Sequence, residues 1–231
     1  MSFKKLSYFK YSVSKVVSNL FSKKSQYSQH GEDILVANLL NKIDSFIDIG
    51  ANDGVFLSNT YLFAQKDAFG LCIEPSKSCF WKLRLNHLLH PKVKCINIAI
   101  SNFDGFSDFV EDGYEGLLSS ISDSKKGSTY KVKTRTLKQI INKNDRFKKT
   151  DIVSIDVEGF ELKVLDGAGN SLKDVKIIII EVDKTKLDHV IQHKSLNHHR
   201  PTYTNNINLI LLNKSKSFEE PDSLPSGFYK I

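Results

Sequence analysis

The chain has 231 residues, 40% of them apolar, with 33 basic and 26 acidic side chains and a formal charge of +7. That is enough apolar material for one α/β domain with its own core, and too little for two full domains. No run approaches the roughly 20 apolar residues of a membrane span, lysines interrupt the N-terminal stretch where a signal peptide needs an apolar region, and the three cysteines lack metal-ligand spacing, so the expectation is a cytoplasmic protein in a reducing compartment.

Residues 1–24 contain six lysines (Lys4, Lys5, Lys10, Lys15, Lys23, Lys24) and no acid, so the excess charge sits there and the rest of the chain is nearly neutral. A neutral body argues against a nucleic-acid partner. Leu6, Phe9, Val13, Val16, Val17 and Leu20 recur at helical spacing, which predicts a basic amphipathic helix ahead of a domain spanning 25–231. Such a helix can lie on the anionic inner face of a membrane or dock on its own domain, and the sequence leaves both open.

Beyond it the periodicity alternates between helical and strand patterns. Helices are predicted at 32–40, 59–65, 76–89, 137–142 and 161–165, and strands at 45–49, 70–74, 93–100, 151–156, 175–182 and 207–212. Most of the strands are continuous apolar runs, as expected for a mostly parallel sheet covered by helices on both faces. FSDFVE (106–111) and YKVKTRT (130–136) alternate instead and predict an antiparallel pair, joined by the glycine- and serine-rich loop DGYEGLLSSISDSKKGS (112–128). Phe80, Trp81 and Leu83 share a helix and read as core.

The first strand runs into FIDIGANDG (46–54). A dinucleotide site carries three glycines at this turn because a pyrophosphate must approach the backbone, whereas here Asn52 stands where the second glycine belongs. Asp48, just before the turn, suits a cationic ligand. S-adenosyl-L-methionine has that charge, lacks a phosphate and needs a ribose partner. Glu74, 20 residues past Gly54 at the end of the second strand and followed by Pro75, is placed to accept from the ribose hydroxyls. Ala51 lies within the turn, and Ala99 and Ile100, ending the third strand, reach the same crevice where an adenine ring would sit.

The fourth strand ends in DIVSIDVEGFELKVLDG, with Asp156 and Glu158 at its mouth, and the fifth ends in IIIIEV, which brings Glu181 to the same edge. Converging carboxylates need partners or a function. Each can serve as a general base toward a hydroxyl, and together they can hold a divalent cation such as magnesium; the sequence does not separate these uses. His189 and His193 are four apart but lack a third ligand. With His198 and His199 they belong to KTKLDHVIQHKSLNHHRPTY (184–203), which reads as a solvated segment over the carboxyl edge of the sheet, placed to act as an acceptor lid.

The stretches SQHGEDIL (28–35), FIDIGANDGVFLSNT (46–60), LCIEP (71–75), AISNFDG (99–105) and SIDVEGFELKVLDG (154–167) resemble, in this order and spacing, the FkbM family of S-adenosylmethionine-dependent methyltransferases. The resemblance covers about residues 25–182 and implies a Rossmann-like fold with a seven-stranded sheet whose last strand is antiparallel. It also implies O-methylation of a hydroxyl on a sugar, glycan or related small molecule. On this chain it assigns Asp48, Gly50, Asn52 and Gly54 to the methionine end of the cofactor, Glu74 to the ribose, and Asp156 and Glu158 to the space beside the methyl group. Gln29 and Asn59 would close over cofactor or acceptor. Asn86-His87 departs from the Asn-Arg of related sequences, and a neutral histidine there weakens any anion-binding role. The alternative functions are a nucleic-acid methyltransferase or a non-catalytic binder of the cofactor. Against the first, DVEG stands where base-methylating enzymes place a stacking tetrapeptide.

Overall fold

A computed structural model of the chain describes residues 14, 16–19, 23–111, 120–121 and 128–231. Most of the predicted N-terminal helix and most of the 112–128 loop lie outside these residues. Residues 16–19 are helical; Val16 is buried, and Asn19 Nδ2 donates to Asn86 Oδ1 over 3.4 Å.

The elements follow in chain order as α1 (Glu32–Leu39), β1 (Ser45–Ile49), α2 (Tyr61–Gln65), β2 (Phe69–Ile73), α3 (Lys77–Asn86), β3 (Val93–Ile96), β4 (Ala99–Ile100), β5 (Gly105–Glu111), β6 (Ser120–Ile121) and β7 (Ser128–Arg135). Then come α4 (Leu137–Asn142), β8 (Ile152–Ile155), α5 (Glu161–Ala168), β9 (Ile177–Glu181), α6 (Leu187–Ile191), β10 (His199–Thr204), β11 (Asn208–Asn213) and β12 (Tyr229–Lys230). Short 3₁₀ turns at Asp145–Lys149, Lys184–Lys186 and Lys194–Leu196 fill the connections.

The main sheet has the order β12-β10-β11-β9-β8-β1-β2-β3. From β3 to β9 every pairing is parallel, while β11, β10 and β12 each pair antiparallel to their neighbours. The expected seven strands are present with β11 reversed, and the C-terminal β12 adds an eighth at the edge.

Both faces of this sheet are dry because successive residues of each apolar run feed opposite cores. Ile47, Ile49, Ile178, Ile180, Leu209 and Leu211 pack under α4 and α5. Phe46, Ile177, Ile179, Ile210 and Leu212 pack under α1 and α2. Each such side chain contributes about 1.5–3 kcal/mol by burial. At the opposite end from the strand mouths, buried Asp151 accepts from the amides of Asp44 and Ser45 and pairs with Lys176 at 2.7 Å, which fixes the start of β1 against β8.

Two predicted segments are corrected. Residues 93–100 are not one strand: Asn97 turns out of line to donate its side-chain amide to the carbonyls of Glu74 and Pro75, and β4 then joins β7 in a second, four-stranded sheet. Nor is 184–203 a solvated segment. Val190, Leu196 and His199 are buried, His199 Nε2 meets the Val175 carbonyl at 2.9 Å, and β10 forms a hairpin with β11 inside the main sheet. The predicted β5–β7 antiparallel pair is present in register from Gly105↔Thr134 to Glu111↔Ser128.

Candidate active site

Parallel strands ending at one edge bring their following loops together, and the loops after β1, β2, β8 and β9 enclose a cleft of about 220 Å³. Gln29, Asp48, Gly50, Ala51, Asn52, Asn59, Glu74, Pro75, Ala99, Ile100, Asp156, Glu158 and Glu181, all singled out from the sequence, line it. Gly54 does not. A Cβ on Gly54 would fall 2.5 Å from Leu83 and 2.8 Å from the His87 ring, so this glycine makes room for α3 behind the loop.

The turn after β1 is built by its backbone. The amides of Gly50 and Ala51 both donate to the Ile73 carbonyl, at 3.0 and 3.1 Å, and the amide of Asp156 donates to Ile49. Gly50 has φ +85, and a Cβ there would lie 1.6 Å from the Asp156 carbonyl oxygen; only glycine lets the loops after β1 and β8 touch. Asp53 Oδ1 accepts from the amides of Val55 and Phe56, while Asn86, fully buried, donates from behind to the Asp53 carbonyl at 2.7 Å.

Asp48 is 5% exposed and accepts from the Thr60 hydroxyl at 2.6 Å. Burial pushes its carboxyl up to about 6, with the Thr60 hydrogen bond opposing the rise. Glu74, also buried, accepts from the Asn52 amide at 2.9 Å and the Ser76 amide at 2.7 Å, so it ties the glycine turn to the start of α3. Asn59 reaches across to Ser154 Oγ at 3.2 Å. His87 is buried between Tyr61, His90 and Cys72, and burial lowers its ring to about 3, so it is neutral and packs rather than binding an anion.

At the mouth, Asp156 is held well above the ordinary carboxylate range by burial and by the nearby charges of Glu181 and Glu158. Glu181 is raised by burial, then by Glu161 and Glu32, with a hydrogen bond from Asp156 and the charge of His30 opposing. Burial and the same acidic neighbours, Glu181 and Glu161, raise Glu158, which sits in a left-handed conformation at φ 49. The loop beside it is clamped by Lys186, whose ammonium donates to the Gly159 carbonyl at 2.7 Å.

The cleft thus carries five carboxylates, and among its described lining residues there is no lysine or arginine. A diphosphate finds no counter-charge here, whereas a cationic nucleoside finds Asp48 near the turn and Glu74 one strand away. The donor set and the glycine cradle fit S-adenosylmethionine. Among the described residues no group of three or more His, Cys, Asp or Glu side chains is arranged to hold a metal ion. His193 pairs with Asp166 at 3.2 Å, and His189 is exposed. No helix among the described residues is long and apolar enough to cross a membrane.

Sequence reasoning missed several wall residues. Phe109 comes from the second sheet, Phe56 and Leu57 form an exposed apolar lip, and Asn208 arrives at the start of β11 opposite Glu181. Only Asn208 had a legible signal, a polar residue opening an apolar strand.

Residues 48–214 match the family model described as the methyltransferase FkbM domain. No curated protein matches the chain. Among solved structures, the chain is similar to the methyltransferase FkbM from Methylobacillus flagellatus KT, with 13% identity, a TM-score of 0.51, and coverage of 74% of this chain and 43% of that one. It is also similar to the METTL16 methyltransferase domain, at 13% identity and a TM-score of 0.50, covering 81% of this chain and 66% of that one. At these identities the likeness is one of fold. The chain spans less than half of the Methylobacillus protein.

Proposed function

The chain belongs to the FkbM methyltransferase family, and from that premise we propose that it transfers a methyl group from S-adenosylmethionine to a hydroxyl of a sugar, glycan or related small molecule. The observation that carries the reading is the buried Asp48 carboxylate beside a two-glycine turn, in a cleft whose described lining has acids and no lysine or arginine.

Asp48 and the turn from Gly50 to Asn52 would hold the methionine end. Glu74, already oriented by two backbone amides, would accept from the ribose hydroxyls, and Ala99 with Ile100 would flank the base. The cofactor supplies an electrophilic methyl on a sulfonium. The acceptor oxygen forms the new carbon–oxygen bond as the carbon–sulfur bond breaks, and its proton passes to a carboxylate at the mouth. Asp156, Glu158 and Glu181 are the candidates for that base. Burial and neighbouring carboxylates raise the proton affinity of all three, which makes each, when ionised, a stronger base toward an alcohol than an ordinary carboxylate. The apolar lip of Phe56 and Leu57 helps to exclude water when the cleft is filled.

Calorimetry with S-adenosylmethionine and the Asp48→Ala variant tests this reading. Loss of binding in the variant is expected. Retained affinity would remove the assignment.

A further inference from the structure

Asn208 opens β11 directly opposite Glu181 of β9, and its side chain is 4% exposed on the wall of the cleft. Its carboxamide is oriented from behind. Nδ2 donates to Glu32 Oε1 over 2.7 Å, and Glu32, itself buried, also accepts from Asn205 Nδ2 at 3.2 Å and from the His30 amide at 2.9 Å. Glu32 accepts in all three bonds, so the amide nitrogen must face it and Oδ1 is left for another donor. Among the described residues that oxygen has no partner. A buried acceptor without a donor costs stability unless a ligand completes it.

Glu181 faces Asn208 across the β9–β11 pair, and its charge reaches Asp156 and Glu158, which line the same cleft. This part of the wall therefore offers carboxyl and carboxamide oxygens with no cationic side chain among its described residues, at the edge where the methyl group would be delivered. A phosphate or carboxylate on the acceptor would be repelled, whereas an ammonium group would gain charge-assisted hydrogen bonds.

We propose that this wall is the acceptor subsite, and that it takes a hydroxylated molecule with a protonated amine next to the reacting hydroxyl, an amino sugar or amino alcohol, received by Asn208 Oδ1 and the Glu181 carboxylate. The inference rests on the methyl-transfer reading and narrows its substrate class. N-acylation would remove both the charge and most of the donors, and an acid group would reverse the charge.

The test is equilibrium binding to the full chain loaded with S-adenosylhomocysteine, by saturation-transfer NMR at pH 6.5, with D-glucosamine, N-acetyl-D-glucosamine and D-glucuronate as probes. Glucosamine is expected to bind at least about tenfold more tightly than the other two, and Glu181→Gln or Asn208→Leu should each erase about that preference. Glu181→Gln keeps the side-chain shape and carries the test if Asn208→Leu fails to fold. Equal or tighter binding of either comparison sugar, binding of none of the three, or a preference untouched by Glu181→Gln would overturn the proposal. Failure of the chain to retain S-adenosylhomocysteine would instead sink the methyl-transfer reading itself, so the two failures are distinguishable.

Discussion

The Thr60 hydroxyl donates to Asp48 Oδ2 over 2.6 Å, linking the entry of α2 to the last polar side chain of β1. This bond orients a carboxylate that burial would otherwise favour as the neutral acid. The protein holds a negative charge where it is costly, at the place where a cationic ligand would relieve the cost.

That cost predicts a stability–function trade-off at Asp48. Its folded pKa of about 6 lies above the ordinary 3.8, so its contribution to stability is full below 3.8 and is lost as pH rises through about 6. Above that range ionised Asp48 costs the unliganded fold up to roughly 3 kcal/mol. Asp48→Asn should therefore raise the urea midpoint of the unliganded chain at pH 8, and should leave it nearly unchanged at pH 4.

His87 works in the opposite direction. Its folded pKa of about 3 lies below the ordinary 6.5, so its stability is present above 6.5 and is lost as pH falls toward 3, with a ceiling of roughly 4–5 kcal/mol. His87→Phe keeps a ring against Tyr61 and removes the titration. Urea midpoints measured between pH 7 and pH 4 should fall less steeply in this variant than in the native chain.

Gly50 and Gly227 have nearly the same backbone angle, φ +85 and +86, yet a Cβ on Gly227 meets nothing within 4 Å. Gly227→Ala should cost only the left-handed strain of about 1–2 kcal/mol and leave ligand binding intact. Gly50→Ala adds the collision with the Asp156 carbonyl, so it should cost several kcal/mol more and abolish cofactor binding. Paired thermal melts and calorimetry on the two variants separate strain from crowding.

Among the mouth acids, Asp156→Asn and Glu158→Gln should leave cofactor affinity largely unchanged while lowering turnover, by about 10²–10⁴-fold for whichever is the base. All three candidates are raised, so the proposed methyl transfer by the native chain should speed up with pH along a limb lying above the ordinary carboxylate range. Unchanged rates in both variants would move the base to Glu181 or to a histidine. Single-turnover rates against pH give the answer.

Much of the lining of the candidate site was legible because it comes from strand ends that the sequence marks by continuous apolar runs. Ser45–Ile49 is the strand predicted, and the carboxylates at the carboxyl ends of β1, β2, β8 and β9 line one cleft, as the parallel order demands. Two things escaped because they depend on tertiary partners. The polar segment His199–Thr204 carries a proline and exposed Arg200, and only its pairing with β11 and β12 makes it a strand. Gly54 looked like a ligand-facing glycine because sequence spacing says nothing about which side α3 will occupy.

The most direct measurement is a crystal structure of the chain grown with S-adenosylhomocysteine in one set of drops and NAD in another. The account predicts the nucleoside bound between Asp48 and Glu74, with its ribose hydroxyls on the Glu74 carboxylate, and no NAD. A cleft that stays empty with the nucleoside, or that takes the dinucleotide, would contradict it.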